Sequence, residues 1–173
     1  LNLVPDEQAL SIYFLYNFRK NANDVGATTF YRDPSLFTLD LGMLGGGIRY
    51  FPSQKIFIDA SFAGNDKRTT GDSTFRGLLG YKTKIGDRFN LYTGLGAASY
   101  VITEKSPRSG EATMYYYTPT IQARVEYRLQ SRIGVSIAAG YDFIAKIGPE
   151  KYNGGKRVIL GKLSFEPSVS LYF

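Results

Sequence analysis

The sequence predicts an all-β protein, with residues 1–173 forming a single domain: an eight-stranded antiparallel up-and-down transmembrane β-barrel. Three observations lead there. Hydrophobicity of period two recurs in eight segments, the connections alternate between long and short, and one strand face carries no charge in any segment. Successive side chains on a strand point to opposite faces, so a period of two is the mark of a strand with two unlike sides.

The segments follow in order. In QALSIYFLYNF (8–18), Leu10, Ile12, Phe14, Tyr16 and Phe18 share a face. In 36–51, Phe37, Leu39, Leu41 and Met43 do so, and the run GGG (45–47) predicts a bulge or a close backbone approach. The third segment, 55–64, aligns Ile56, Ile58, Ala60 and Phe62, and the fourth, 74–85, aligns Phe75, Gly77, Leu79 and Tyr81. The fifth, 89–103, offers Phe89, Leu91, Leu95, Ala97 and Val101. The sixth, 114–128, runs from Tyr115 through Ile121 and Val125 to Tyr127. The seventh, 132–145, carries Ile133, Val135, Ile137, Tyr141 and Phe143, and the eighth closes the chain at 158–173. Pro119 and Pro167 fall inside strands, where a missing N–H predicts a bulge at each.

Long polar connections fall at 19–35, 65–73, 104–113 and 146–157, and short ones at 51–54, 85–88 and 129–131. That alternation is the order of a meander whose two ends meet different surroundings. Regular short strands of this kind predict a barrel or a sandwich.

The face opposite the apolar one identifies the solvent. Small residues dominate it, and its long side chains nearly balance in charge: Arg76, Lys82, Lys84, Arg124, Arg128 and Lys162 against Asp40, Asp59, Glu126, Asp142 and Glu166. A water-facing strand surface disfavours glycine. A narrow lumen has room for small residues plus a few long ones, which must pair to be tolerated. The sequence therefore predicts that Asp40, Asp59, Arg76, Lys82, Arg124, Glu126, Asp142, Lys162 and Glu166 form a lumen ion-pair network, with Tyr13, Tyr92 and Tyr100 beside them. The apolar face then meets lipid, where a Lys or Arg at mid-bilayer costs about 2–4 kcal/mol. Aromatic residues bunch near strand ends, with Tyr16, Phe18, Phe37, Phe75, Tyr115, Tyr117 and Phe143 at one rim. Tyr50, Phe51, Phe89, Tyr127 and Phe173 gather at the other, as in interfacial girdles.

Composition narrows the chemistry. The chain has no Cys and no His, so disulfides, thiolate metal sites and imidazole bases are unavailable. No metal or cofactor is expected. The net charge of +6 is dispersed among mixed signs, which predicts ordinary solvation and no nucleic-acid partner. No apolar run approaches the roughly 20 residues of a membrane helix. The opening LNLVPDEQAL has no signal-peptide pattern, so either a cytosolic protein or a processed, mature form is expected.

The chain resembles the small eight-stranded bacterial outer-membrane β-barrels, the OmpA, OmpX and OmpW-like group, over nearly its whole length. The resemblance is carried by the face asymmetry, the loop alternation and the last strand, FEPSVSLYF (165–173). Phe165, Val169, Leu171 and Phe173 occupy the positions of that group's C-terminal assembly signal, so the insertion machinery of the outer membrane is an implied partner. A chain ending on this signal is expected to have no C-terminal extension. The resemblance also implies outer-membrane localisation, contact with lipid and lipopolysaccharide, and a monomer. Trp, common in that group's girdles, is absent.

Enzymes among such barrels depend on a catalytic His, which this chain lacks, so no catalysis is expected. Carboxylate pairs such as Asp59 with Asp142 or Glu126 with Glu166 are explained more simply by ion pairing. The expected role is structural or interactive, through four long loops with basic residues Arg19, Lys20, Arg32, Lys67, Arg68, Arg108, Lys156 and Arg157. Two alternatives stand beside it. One is a narrow pore or OmpW-like channel, with a small apolar pocket from Leu15, Leu44, Leu78 and Ile144. The other is a soluble lipocalin-like carrier.

Overall fold

The computed structural model describes residues 9–19, 43–66, 70–106, 110–143 and 162–173. Eight strands fill them: β1 (Leu10–Arg19), β2 (Met43–Tyr50), β3 (Ile56–Asp66), β4 (Thr70–Ile85), β5 (Phe89–Ser106), β6 (Gly110–Gln130), β7 (Ile133–Asp142) and β8 (Lys162–Tyr172). Each pairs antiparallel with the next, and β8 returns to β1. Closure matters energetically, because a strand edge in hydrocarbon would leave a row of backbone groups without partners. The last bond of the ring runs from the Phe173 N–H to the Leu10 carbonyl at 2.9 Å.

Side chains sort as the alternation requires, but inside out relative to a soluble protein. Leu44, Phe14 and Leu95 on the outer face are 70%, 67% and 67% exposed, whereas Arg49, Glu126 and Glu166 are at most 1% exposed. Among the strand residues whose side chains are described, none on the outer face is charged. Exposed Phe62 and Phe75 pack ring against ring near one rim, and Phe89 packs on Tyr127 near the other.

Strand lengths differ around the ring, and this corrects two connections. Residues 65–66 and 70–73 belong to β3 and β4, which stay paired to Asp66↔Gly71. The β5–β6 ladder runs unbroken from Phe89↔Tyr127 to Ser106↔Gly110. Only residues 67–69 and 107–109 lie between those strands, so the long polar loops expected at 65–73 and 104–113 are mostly hairpin. Polar residues there misled the reading, since a strand that has left the membrane is free to be polar on both faces. The 18 residues of β5 span about 60 Å at the usual rise. About 9–11 tilted residues cross a bilayer core, so β4 to β6 extend well past it, on the side away from the short turns. The connections 20–42 and 144–161 lie outside the described residues.

β2 corrects a phase. Its pairing with β1 is continuous from Leu10↔Tyr50 to Asn17↔Met43, without a bulge at the glycines. Met43 therefore points inward and is buried, and Leu44 points outward, the reverse of the expected assignment. The glycines serve the other purpose, close approach. A Cβ on Gly47 would lie 2.4 Å from the Tyr13 ring, and one on Gly45 would lie 2.0 Å from the Phe62 carbonyl oxygen.

The prolines are also accommodated without bulges. Pro119 keeps its register opposite Ala97, and its carbonyl accepts from the Phe143 N–H at 2.9 Å. At Pro167 the β1–β8 ladder lapses between Leu15↔Ser168 and Phe18↔Phe165 and resumes in the same register. The missing donor costs two residue pairs there, Tyr16 with Pro167 and Asn17 with Glu166, not a shift. The described register shift lies elsewhere, between Arg128 and Gln130 on β6.

Candidate functional site

The lumen is the candidate site, and its residues interlock in three levels. Nearest the turns, Glu126 on β6 holds Arg128 Nε at 2.9 Å and accepts from the Tyr172 hydroxyl at 2.5 Å and the Tyr92 hydroxyl at 3.3 Å. The Tyr92 and Tyr172 hydroxyls lie 3.3 Å apart. Phe51 leaves the expected girdle and turns over this mouth, 6.1 Å from the Tyr92 ring and 6.3 Å from the Tyr172 ring. Lys82 Nζ stands 5.4 Å from the Phe51 ring centre, half-buried at the mouth and not deep in the network.

The middle level centres on Tyr13. Its hydroxyl donates to Asp59 Oδ1 at 2.6 Å, and Arg49 Nε donates to Asp59 Oδ2 at 2.9 Å. Two guanidinium groups stand over the Tyr13 ring, Arg49 at 5.1 Å and Arg124 at 4.8 Å. Arg49 also faces Tyr92 at 4.5 Å and Phe57 at 5.5 Å. A cation over an aromatic face gains more when both are desolvated, so these rings offset part of what burying Arg49 costs. Arg124 donates to the Ser168 hydroxyl at 2.5 Å and the Ser136 hydroxyl at 3.3 Å.

The third level is organised by Glu166 on β8. It accepts from Arg76 Nη1, from Asn17 Nδ2 at 2.7 Å and from Gln122 Nε2 at 2.8 Å, with Arg124 Nη2 at 3.7 Å. Asp142 accepts from the Tyr100 hydroxyl beside it. Two arginines thus share one carboxylate, and neutral amides saturate its remaining lone pairs.

The structure brings together Asp59, Arg76, Arg124, Glu126, Asp142 and Glu166 of the expected network, all buried. Lys162 pairs through its backbone with Asp142; its side chain and the whole of Asp40 lie outside the described residues. Arg49 and Tyr172 were missed, as were the amides Asn17 and Gln122. The carboxylate pairs Asp59–Asp142 and Glu126–Glu166 are not formed: each carboxylate holds its own set of donors. The apolar pocket is not formed either. Leu44 faces outward, Leu78 packs with Phe57 and Tyr92, and Ile144 lies outside the described residues. Leu15 instead joins Tyr13, Met43 and Ala63 in a small cluster that lines the lumen.

The loop residues Lys20, Arg32, Lys67, Arg68, Arg108, Lys156 and Arg157 lie outside the described residues, and Arg19 is seen only as the backbone end of β1, paired with Ser164. Phe165, Val169, Leu171 and Phe173 all face outward from β8 and its end, 45%, 47%, 39% and 64% exposed.

A closed antiparallel barrel with an apolar exterior and a charged, filled interior defines a transmembrane β-barrel, the narrow kind in which side chains fill the lumen. Solved structures carry the same fold. The N-terminal β-barrel domain of Pseudomonas aeruginosa OprF superposes with a TM-score of 0.66 at 14% identity, covering 96% of this chain and 98% of that one. Ail, the attachment invasion locus protein of Yersinia pestis, gives 0.60 at 13% identity over 95% and 96%. Neisserial surface protein A gives 0.55 at 11% identity over 95% and 96%. The fold is that of the small eight-stranded bacterial outer-membrane barrels. No protein-family model and no curated protein sequence matches the chain.

Proposed function

We propose that this chain is a non-enzymatic, monomeric integral protein of a bacterial outer membrane, closed to ions, that acts through what its loop end presents. The observation that carries this reading is the filling of the lumen. Four buried arginines (Arg49, Arg76, Arg124, Arg128) and four buried carboxylates (Asp59, Glu126, Asp142, Glu166) occupy it among the described residues. Hydrogen bonds tie them to tyrosines, serines and amides from one end of the barrel to the other. A hydrated ion would have to break several charge-assisted bonds to pass, each among the stronger kind.

In this reading the short turns face the periplasm and the longer strands β4 to β6 carry the hairpins outward. The loop residues Arg19, Lys20, Arg32, Lys67, Arg68, Arg108, Lys156 and Arg157 suit phosphate-bearing lipopolysaccharide. The outward row Phe165, Val169, Leu171 and Phe173 serves assembly before it serves lipid contact, presented to the insertion machinery as the last strand.

The test is conductance. Purified, folded protein is added to a planar lipid bilayer, with insertion confirmed by a heat-dependent gel shift of recovered protein. Inserted protein should show no steady unitary current. Steady current steps from inserted protein would transfer the proposal to transport.

A further inference from the structure

We infer that the turn end of the barrel is a docking surface for the phosphate groups of anionic phospholipids in the leaflet at that end. This rests on the reading of the chain as a membrane barrel and adds a lipid preference that the fold itself does not require. Among the described residues, five cations stand at this end, Lys55, Lys82, Lys84, Arg88 and Arg132, against one carboxylate, Asp87. They belong to all three short turns or to the strand ends beside them, in an arc from β3 round to β7.

The arc is held in place by the backbone. The Lys55 carbonyl accepts from the Lys82 N–H at 2.6 Å, the Arg88 carbonyl from the Arg128 N–H at 2.8 Å, and the Arg132 carbonyl from the Tyr172 N–H at 2.9 Å. Each turn cation is therefore fixed to the neighbouring strand. Just inside the arc lies an outward ring of Tyr50, Tyr81, Ile85, Phe89 and Phe173, all about half exposed or more. Rings of this type settle at headgroup level. Arg88 joins the two layers, donating to the Tyr127 hydroxyl at 3.1 Å while Tyr127 packs on Phe89 at 4.9 Å. A guanidinium anchored at the aromatic girdle sits at the depth of lipid phosphates, with most of its donors still turned outward. Charge of one sign at that depth fits anionic phosphate, and arginine suits it best through its forked donors.

The experiment uses spin-labelled lipids and the folded protein in phosphatidylcholine vesicles. It compares motionally restricted phosphatidylglycerol with motionally restricted phosphatidylcholine. Wild-type protein should favour phosphatidylglycerol several-fold, since each basic residue near an anionic surface contributes about fivefold at most. The preference should shrink in about 1 M salt, where screening acts within a few ångströms. It should also vanish in the quadruple variant Lys55→Gln, Lys84→Gln, Arg88→Gln, Arg132→Gln. All four positions are exposed, and the double variant Arg88→Gln, Arg132→Gln, confined to two turns, should weaken the preference and gives the answer if the quadruple variant misfolds.

Absence of preference in wild-type protein overturns the inference. So does a preference that survives in the variant, which would assign it to the loop end. Inorganic phosphate should displace the labelled lipid no better than chloride at equal ionic strength; stronger displacement would mean a site for free phosphate. If the folded protein restricts no lipid at all, the membrane reading itself falls.

Discussion

Arg49 and Asp59 are register partners on the β2–β3 ladder, and their side chains meet inside the lumen at 2.9 Å. Directly opposed residues of opposite charge on one sheet face are natural partners, but here both are out of water. The cost of desolvating them is recovered only while both are present. Asp59→Asn should therefore destabilise the barrel by about 3–5 kcal/mol, because it leaves Arg49 buried without its counter-charge. The double variant Arg49→Met, Asp59→Leu should recover most of that loss. Urea titration of folded protein in vesicles, read by the gel shift of unheated samples, decides. Equal unfolding midpoints for Asp59→Asn and the parent would show that the pair is not buried as described.

Glu166 binds Arg76, Asn17 and Gln122, with Arg124 close by. Removing the side chains that meet there should do what no surface change does. The triple variant Arg76→Ala, Arg124→Ala, Glu166→Ala deletes two cations and one anion and replaces this polar cluster with space for water. Where the parent is silent, the inserted variant should pass current in planar bilayers. A silent variant, verified as inserted, would place the barrier to ions at the Phe51–Tyr92–Tyr172 mouth instead.

Close packing inside so narrow a barrel makes glycine position matter. Gly47→Val would press its side chain into the Tyr13 ring, where even a Cβ meets ring atoms at 2.4 Å, and should cost about 1–3 kcal/mol. Gly77→Ala faces outward with nothing within 4 Å, and its unfolding midpoint should stay close to that of the parent. The contrast is the test, since both substitutions remove a glycine from a strand interior. A similar shift for both would attribute the effect to backbone freedom instead of packing.

The strands and the two faces were legible in the sequence because strand periodicity is local. Seven of the eight apolar faces needed only a count by twos. β2 failed at the glycines, where no side chain marks the phase. A bulge at 45–47 would shift the count by one and a close approach would not, and the run Phe37, Leu39, Leu41, Met43 put Met43 on the outer face. With Met43 outward, an unbroken strand puts Arg49 in lipid and a bulge puts it in the lumen, so the open choice at the glycines hid Arg49. Counting back from Ile48 and Tyr50 is the signal that finds it, since both are apolar, alternate with Arg49 and flank it. The ion-pair partners were less legible, for a different reason. Arg76 and Glu166 are 90 residues apart in the chain and meet across the lumen. Parity places both inside, but height along the barrel depends on every register in between. The lengths of β4 to β6 were misread because polar residues outside the membrane look the same in a hairpin as in a loop.

The inside-out reading makes its sharpest claim at Leu95. This residue lies in the middle of β5, between Leu79 on β4 and Ile121 on β6, and is 67% exposed. On a soluble barrel an exposed site accepts arginine with a change within about 0.5 kcal/mol. In hydrocarbon the same arginine costs about 2–4 kcal/mol at the bilayer midplane and about 0–1 kcal/mol near the interface. Leu129 supplies the comparison, since it is also outward and 50% exposed but lies beside the β6–β7 turn. Leu95→Arg should therefore lower the stability of vesicle-inserted protein by several times as much as Leu129→Arg. In detergent micelles, which deform around a charge, the gap between them should narrow. Equal, small effects at both positions in vesicles would mean that water, not lipid, covers this face, and the membrane assignment would fall with it.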